Sequence, residues 1–296
     1  MKVIKFIPTK SKNFMISHLN HIIRDQNKKP IVYDTYYKKN HVQKPIIIFC
    51  HGYKGFKDWG AWNLMGKEFS LNNYFFLKFN FSHNGGTIED PIDFPDLDAF
   101  GNNNFSHELD DFDRVLTYLK NAENYSAEID LENITLIGHS RGGGSALIKA
   151  SENLDIKRVI TWAGVSDFKI RFNKGTPGFK KWENDGVMYV ENSRTKQMMP
   201  HFFQFYKDFK KNEARLDVRS AVEKLKIPYL VIHGTNDTSV LPFEGENLFS
   251  WNKNNKIERI KGADHVFSAR HPWESDKLPD DLKKVIYLSI DFIVAS

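Results

Sequence analysis

Cysteine is almost absent: Cys50 is the only one among 296 residues, so no disulfide can close within the chain and nothing in it calls for an oxidising compartment. Long apolar runs are missing too, none approaching the roughly 20 residues of a spanning helix. The opening residues, "MKVIKFIPTKSKNFMISHLN", lack both an uninterrupted apolar stretch and a small-residue cleavage site. The expectation is a cytoplasmic chain without a membrane span. There are no internal repeats and no low-complexity tracts, which excludes solenoids and fibrous or disordered architectures. No zinc-site spacing accompanies His51, His83 or Cys50, and "HGYKGFKDWG" does not fit the G-x-x-x-x-G-K-[ST] phosphate loop. Net charge is +5, but the lysines are scattered among acids, and pairs such as Lys38-Lys39 and Lys180-Lys181 read as solvated ends. Nucleic acid is therefore not an expected partner.

What is present fits one soluble globular unit. Hydrophobic residues make up 41% and charged residues 27%, the length suits one large α/β domain, and no linker divides it. Residues 1–296 are read as a single domain. β-rich runs alternate with helical patterns: strands at Pro30 to Tyr37, Pro45 to Cys50, Tyr74 to Phe81, Ile134 to His139, Arg158 to Val165, Tyr229 to Gly234 and Ile257 to Ala263. "PIIIFC" is apolar on both faces, as a central parallel strand must be. Helical patterns fall at Ala61 to Leu71, after Ser106 as N-cap, after Ser145, and at Leu282 to Val294. The helix after Ser106 gathers Leu109, Phe112, Val115, Leu116 and Leu119 on one face. The alternation implies a mostly parallel central sheet with helices on both faces, its functional loops at the carboxyl ends of the strands. Residues 167–226 separate two core strands by far more than a crossover needs, and carry Trp182, Met188, Tyr189, Met198, Met199, Phe202, Phe203 and Phe205. That stretch is read as an inserted cap over the strand ends.

The stretch Leu136 to Gly144, "LIGHSRGGG", meets the pattern G-x-S-x-G with Gly138, Ser140 and Gly142, in the strand–turn–helix context that gives the motif its meaning. A nucleophilic serine needs a base, and the base needs an acid to fix its tautomer. Asp237 follows the strand at Tyr229 to Gly234, and His265 follows the strand at Ile257 to Ala263. Rivals are weighed beside them. His271, in "RHPW", is a second histidine after the last core strand; Asp167 is a second acid at a strand end; Asp264 adjoins His265 and would have to reach round to its ring.

With Ser140, Asp237 and His265 in the order nucleophile, acid, histidine, the chain resembles the α/β-hydrolase superfamily from about Pro45 to the C-terminal helix. It is similar in look to cinnamoyl/feruloyl-esterase-like, dienelactone-hydrolase-like and serine-aminopeptidase-like members, which share a His-Gly-aromatic loop, a Gly-His-Ser-x-Gly-Gly turn and a cap. The resemblance implies an oxyanion hole from the backbone N–H groups of Tyr53, after His51-Gly52, and Arg141, after Ser140. It departs from the pattern at Tyr53-Lys54-Gly55-Phe56-Lys57 and in the long segment "SHNGGTIEDPIDFPDLDAFGNNN". The function implied is cleavage of a small-molecule carboxylic ester, with a small, partly apolar acyl group, aromatic ones included, through an acyl-enzyme, without metal or organic cofactor. A peptidase, amidase or thioesterase using the same residues is the alternative, with Glu183 or Glu191 available for an α-ammonium. A non-catalytic ligand-binding protein on the same fold is the alternative of another class. Asn192 and Arg194 read as a solvated face, and the sequence assigns no role to the Asn-rich stretch 101–104.

Overall fold

A computed structural model describes residues 14–296. Eight strands form the main sheet: β1 (Phe14–Ile23), β2 (Ile31–Lys39), β3 (Lys44–Cys50), β4 (Phe75–Phe79), β5 (Ile129–His139), β6 (Ile156–Trp162), β9 (Tyr229–Gly234) and β10 (Asn255–Ile260). Between β6 and β9 lies a separate antiparallel hairpin, β7 (Val187–Glu191) and β8 (Met198–Phe202). The main sheet runs β1-β2-β4-β3-β5-β6-β9-β10. Its first two pairings are antiparallel and the five from β4 to β10 are parallel. Side chains alternate across a strand, and β3 uses both faces. Ile46, Ile48 and Cys50 join one core cluster and Ile47 and Phe49 the other, all five fully buried.

The helices are α1 (Trp62–Leu71), α2 (Leu97–Gly101), α3 (Phe105–Asn121), α4 (Arg141–Glu152), α5 (Pro177–Asp185), α6 (Gln204–Lys211), α7 (Val218–Lys224), α8 (Pro242–Ser250) and α9 (Asp280–Ala295). Apolar residues of α1 and α9 fill one core cluster, and those of α3, α4, α7 and α8 fill the cluster on the other side of the sheet. This is the mostly parallel sheet, covered on both faces, that the alternation predicts.

One strand has no counterpart in the sequence reading, and one expected helix cap is corrected. Strand β1 carries no sequence assignment because its two-residue period is broken: the pairing with β2 shifts between His18 and His21, where Asn20 takes a positive φ of 55° and donates its N–H to Asp34 Oδ1. Helix α3 is capped by Asn104 and not by Ser106. The Asn104 carboxamide oxygen accepts from His107 N–H at 2.8 Å, while the Ser106 hydroxyl donates to Asp208. The Asn-rich stretch thus has a structural use, since Asn103 also donates to Glu108 and Asn104 to Gln204.

Within 167–226, α7 packs against α4 and buries Val218, Ala221 and Val222 in the sheet-side core. The rest, α5 through α6, packs around Phe172, Phe179, Trp182, Phe203 and Phe209, while Met188, Tyr189 and Met198 stay exposed. It leans on the long segment after β4. Phe56, Phe94, Phe100 and Met199 form one buried cluster, and Gln204 donates to the Gly101 and Asn103 carbonyls.

Candidate active site

Ser140 stands between β5 and α4 with φ 57° and ψ −123°, a left-handed conformation that costs a non-glycine residue about 1–3 kcal/mol. The turn is held from three sides: Ser140 N–H donates to the Trp162 carbonyl at 2.9 Å, and the Ser140 carbonyl accepts from Gly143 and Val165. A Cβ at Gly138 would strike the Gly142 carbonyl, so strand and helix can approach this closely only with glycine there.

The three residues picked from the sequence meet. Ser140 Oγ lies 3.0 Å from His265 Nε2, and His265 Nδ1 lies 2.8 Å from Asp237 Oδ2. The Asp237 carboxylate accepts a hydrogen bond from His265 Nδ1–H, which fixes the tautomer and leaves Nε2 to accept from the serine hydroxyl. Asp237 is 2% exposed and Ser140 9%. Burial pushes the Asp237 carboxyl up, but the His233 and His265 rings beside it and the hydrogen bond from the Val240 amide outweigh it and hold the group well below the usual carboxylate range. The rivals are engaged elsewhere. Asp167 accepts from Lys169 and Ile170 N–H at the start of a short turn, Asp264 accepts from Val266 and Ser268 N–H, and His271 Nδ1 accepts from Gly60 N–H at 2.9 Å.

Tyr53 and Arg141, nominated as amide donors, both adjoin Ser140. Arg141 follows it in the chain, and a Cβ on Gly52 would come 2.7 Å from Ser140 Cβ. The loop is braced by His51, whose Nε2 accepts from Phe81 N–H and whose Nδ1–H therefore donates to the Gly52 carbonyl at 2.9 Å. Burial holds the His51 pKa down at about 4, so the ring stays neutral. Below the loop, Lys57 and Lys78 share Asp34 and Asp58, at 2.5–2.8 Å, in a buried four-charge cluster.

Four participants carried no assignment from the sequence. His139 Nε2–H donates to the His265 carbonyl at 2.9 Å, and burial, with His265 close by, depresses its pKa to about 3. Glu108 is ion-paired with the Arg141 guanidinium, which lies 5.3–5.5 Å from the rings of Tyr53, Phe105 and Phe205. His233 approaches Asp237 Oδ2 at 3.4 Å. His201, in β8, accepts from the Tyr53 hydroxyl through Nε2 at 2.8 Å and faces the Met199 carbonyl with Nδ1 at 3.2 Å. His139 stood inside the quoted "LIGHSRGGG", but nothing in a linear pattern ties it to a carbonyl 126 residues away. His201 offered only "MMPHFF", with no periodic signal.

A cleft of about 130 Å³ opens onto the Ser140 and His265 side chains, walled by Trp59, Trp62, His139 and Val266 on one side and by Gly52 to Gly55 on the other. A smaller pocket beyond Tyr53 is bounded by Phe100, Glu108, Arg141, His201 and Phe205. Glu183 and Glu191 border neither, Asn192 closes the β7–β8 turn, and Arg194 is paired with Asp93. His83 stacks on His107 at 4.2 Å. Among the described residues no group of three or more His, Cys, Asp or Glu could hold a metal ion, and no helix is long and apolar enough to cross a membrane.

A sheet of this order with a serine on a left-handed turn after β5 defines an α/β-hydrolase fold. Residues 33–251 match the BD-FAE family model, and the chain belongs to that family. Solved structures share the fold at low identity. Est1E from Butyrivibrio proteoclasticus, with ferulic acid bound, superposes with a TM-score of 0.69 at 18% identity over 93% of this chain and 100% of its own. Dienelactone hydrolase from Anabaena variabilis ATCC 29413 gives 0.61 at 14%, over 95% and 98%. Acylaminoacyl peptidase from Pyrococcus horikoshii gives 0.63 at 15%, covering 95% of this chain and 41% of that one. No curated protein sequence matches the chain.

Proposed function

We propose that the chain is a serine hydrolase of carboxylic esters, with Ser140 as nucleophile, His265 as general base and acid, and Asp237 as the residue that orients His265. The observation that carries it is the continuous path from Ser140 Oγ through the His265 ring to a buried Asp237, with both hydrogen bonds at 3.0 Å or less. His265 Nε2 takes the hydroxyl proton as Oγ attacks the ester carbonyl. The resulting oxyanion is held by the Tyr53 and Arg141 amides, each such donor being worth roughly 10²- to 10³-fold in rate. His265 then passes the proton to the leaving alcohol, and the acyl group stays on Ser140. In the second half a water gives its proton to His265, attacks the acyl carbonyl, and releases the acid as the proton returns to Oγ.

The indoles of Trp59 and Trp62 suit a planar or apolar substrate part. The segment from α5 to α6 acts as the cap, reaching the site through His201 and Phe205, whereas α7 belongs with the sheet. Glu183 and Glu191 border neither pocket, and Glu108, which borders one, is taken by Arg141, so the acids named for an α-ammonium give the aminopeptidase reading no support. The test is hydrolysis of 4-nitrophenyl acetate and 4-nitrophenyl cinnamate by the chain and by Ser140→Ala. Turnover that disappears in the variant supports the reading, and turnover that persists in it would overturn the assignment.

A further inference from the structure

Buried charges in folded chains are paired, because an unpaired one loses its hydration with nothing in return. Around this cleft the rule holds for Lys57 and Lys78, which share Asp34 and Asp58, and for Arg141, which is held by Glu108. Lys54 breaks it. Its side chain is half-buried, lies over the Tyr53 ring with the ammonium 5.3 Å from the centroid, and pairs with no carboxylate among the described residues. Burial alone pushes its pKa down from the ordinary lysine range, with no acid to raise it. The backbone is unusual as well, with φ 52° at a position where glycine or asparagine would be free of strain. Lys54 borders both the Ser140 cleft and the pocket beyond Tyr53. A cation without a carboxylate partner therefore borders both pockets, where an anionic ligand could reach it.

We propose that Lys54 binds an ionised carboxylate carried by the substrate, so that the ester cleaved at Ser140 has a second, charged carboxyl group. This rests on the hydrolase reading above. One ammonium supplies a single charge and three donors, which matches a monoanion; the Arg141 guanidinium, already held by Glu108, adds no free charge for a dianion. Trp59 and Trp62 remain for the apolar part of the molecule.

The test uses two matched pairs at pH 7.5. One pair carries the charge on the acyl side, 4-nitrophenyl hydrogen glutarate against its methyl ester, and the other on the alcohol side, 3-acetoxybenzoate against methyl 3-acetoxybenzoate. The expected result is a preference of about tenfold or more in kcat/KM for the charged member of one pair, equivalent to about 1.4 kcal/mol, shrinking in 0.5 M NaCl. Lys54→Gln brings the ratio to about one and Lys54→Glu reverses it. A ratio near one for both pairs in the unmodified chain, or a preference unchanged in Lys54→Gln, would overturn the proposal. If none of the four esters turns over and a fluorophosphonate leaves Ser140 unmodified, the hydrolase reading has failed on its own. Calorimetric binding of the same compounds to Ser140→Ala, with and without Lys54→Gln, then decides the Lys54 site without chemistry: charge-selective binding lost with Lys54 supports it, and equal binding overturns it.

Discussion

The parallel sheet and the insertion between β6 and β9 contribute to the site in different ways. The sheet supplies Ser140, Asp237 and His265 from the ends of β5, β9 and β10; Ser140 and Asp237 are buried and held by backbone hydrogen bonds, and His265 is held by the His139 side chain at its carbonyl and by Asp237 at its ring. The insertion reaches the same site through side chains, chiefly the His201 contact to Tyr53 and Phe205 beside Arg141. On the proposed reading, chemistry that tolerates little displacement is assigned to the sheet, and contacts that can vary without unfolding the domain to the insertion.

If the sheet carries the chemistry, its residues should give the largest losses. Ser140→Ala lowers kcat/KM on an activated ester by roughly 10⁴-fold or more, and Asp237→Asn by roughly 10³- to 10⁴-fold through loss of the His265 tautomer. Losses below tenfold in both would remove the sheet's claim to the chemistry. Next comes Glu108→Ala, which leaves the Arg141 guanidinium without its partner. Breaking a pair of this kind costs about 3–5 kcal/mol, read as a fall in denaturant midpoint, and an unchanged midpoint would mean the pair is idle.

The insertion's share is smaller. Tyr53→Phe and His201→Gln each lower kcat by about two- to tenfold, and a double-mutant cycle should show coupling of about 1 kcal/mol. Additive effects would mean that the insertion does not touch the loop energetically. The smallest effect is on pH dependence. Burial, and secondarily the Arg141 charge, holds the folded His201 pKa down at about 4, against an ordinary value of 6.5. Between these values the unfolded chain binds more protons at this site, so its contribution to stability is full above about pH 6.5 and fades as pH falls toward 4. His201→Gln should therefore flatten the slope of Tm against pH between 6.5 and 4, and an unaltered slope would contradict the burial of a neutral ring.

The same division governs what could be read from the chain. Strands such as "PIIIFC" and "YLVIHG" announce themselves because both faces are buried; Ser140 and Asp237 are legible because each follows such a strand, and His265 because it follows the last strand, β10, although that edge strand is partly exposed. β1 escapes notice because a register shift breaks its period. Asn104, and not Ser106, caps α3, since either residue type can serve and only the chain path chooses. Glu108, His139 and His201 have no linear signal, because their partners lie 33, 126 and 148 residues away.

Active-site labelling with a fluorophosphonate, mapped by mass spectrometry on the chain and on His265→Ala, tests the central claim most directly. The account predicts a stoichiometric adduct on Ser140 that is lost in the variant. An adduct on another residue, or one on Ser140 that forms equally fast without His265, would contradict it.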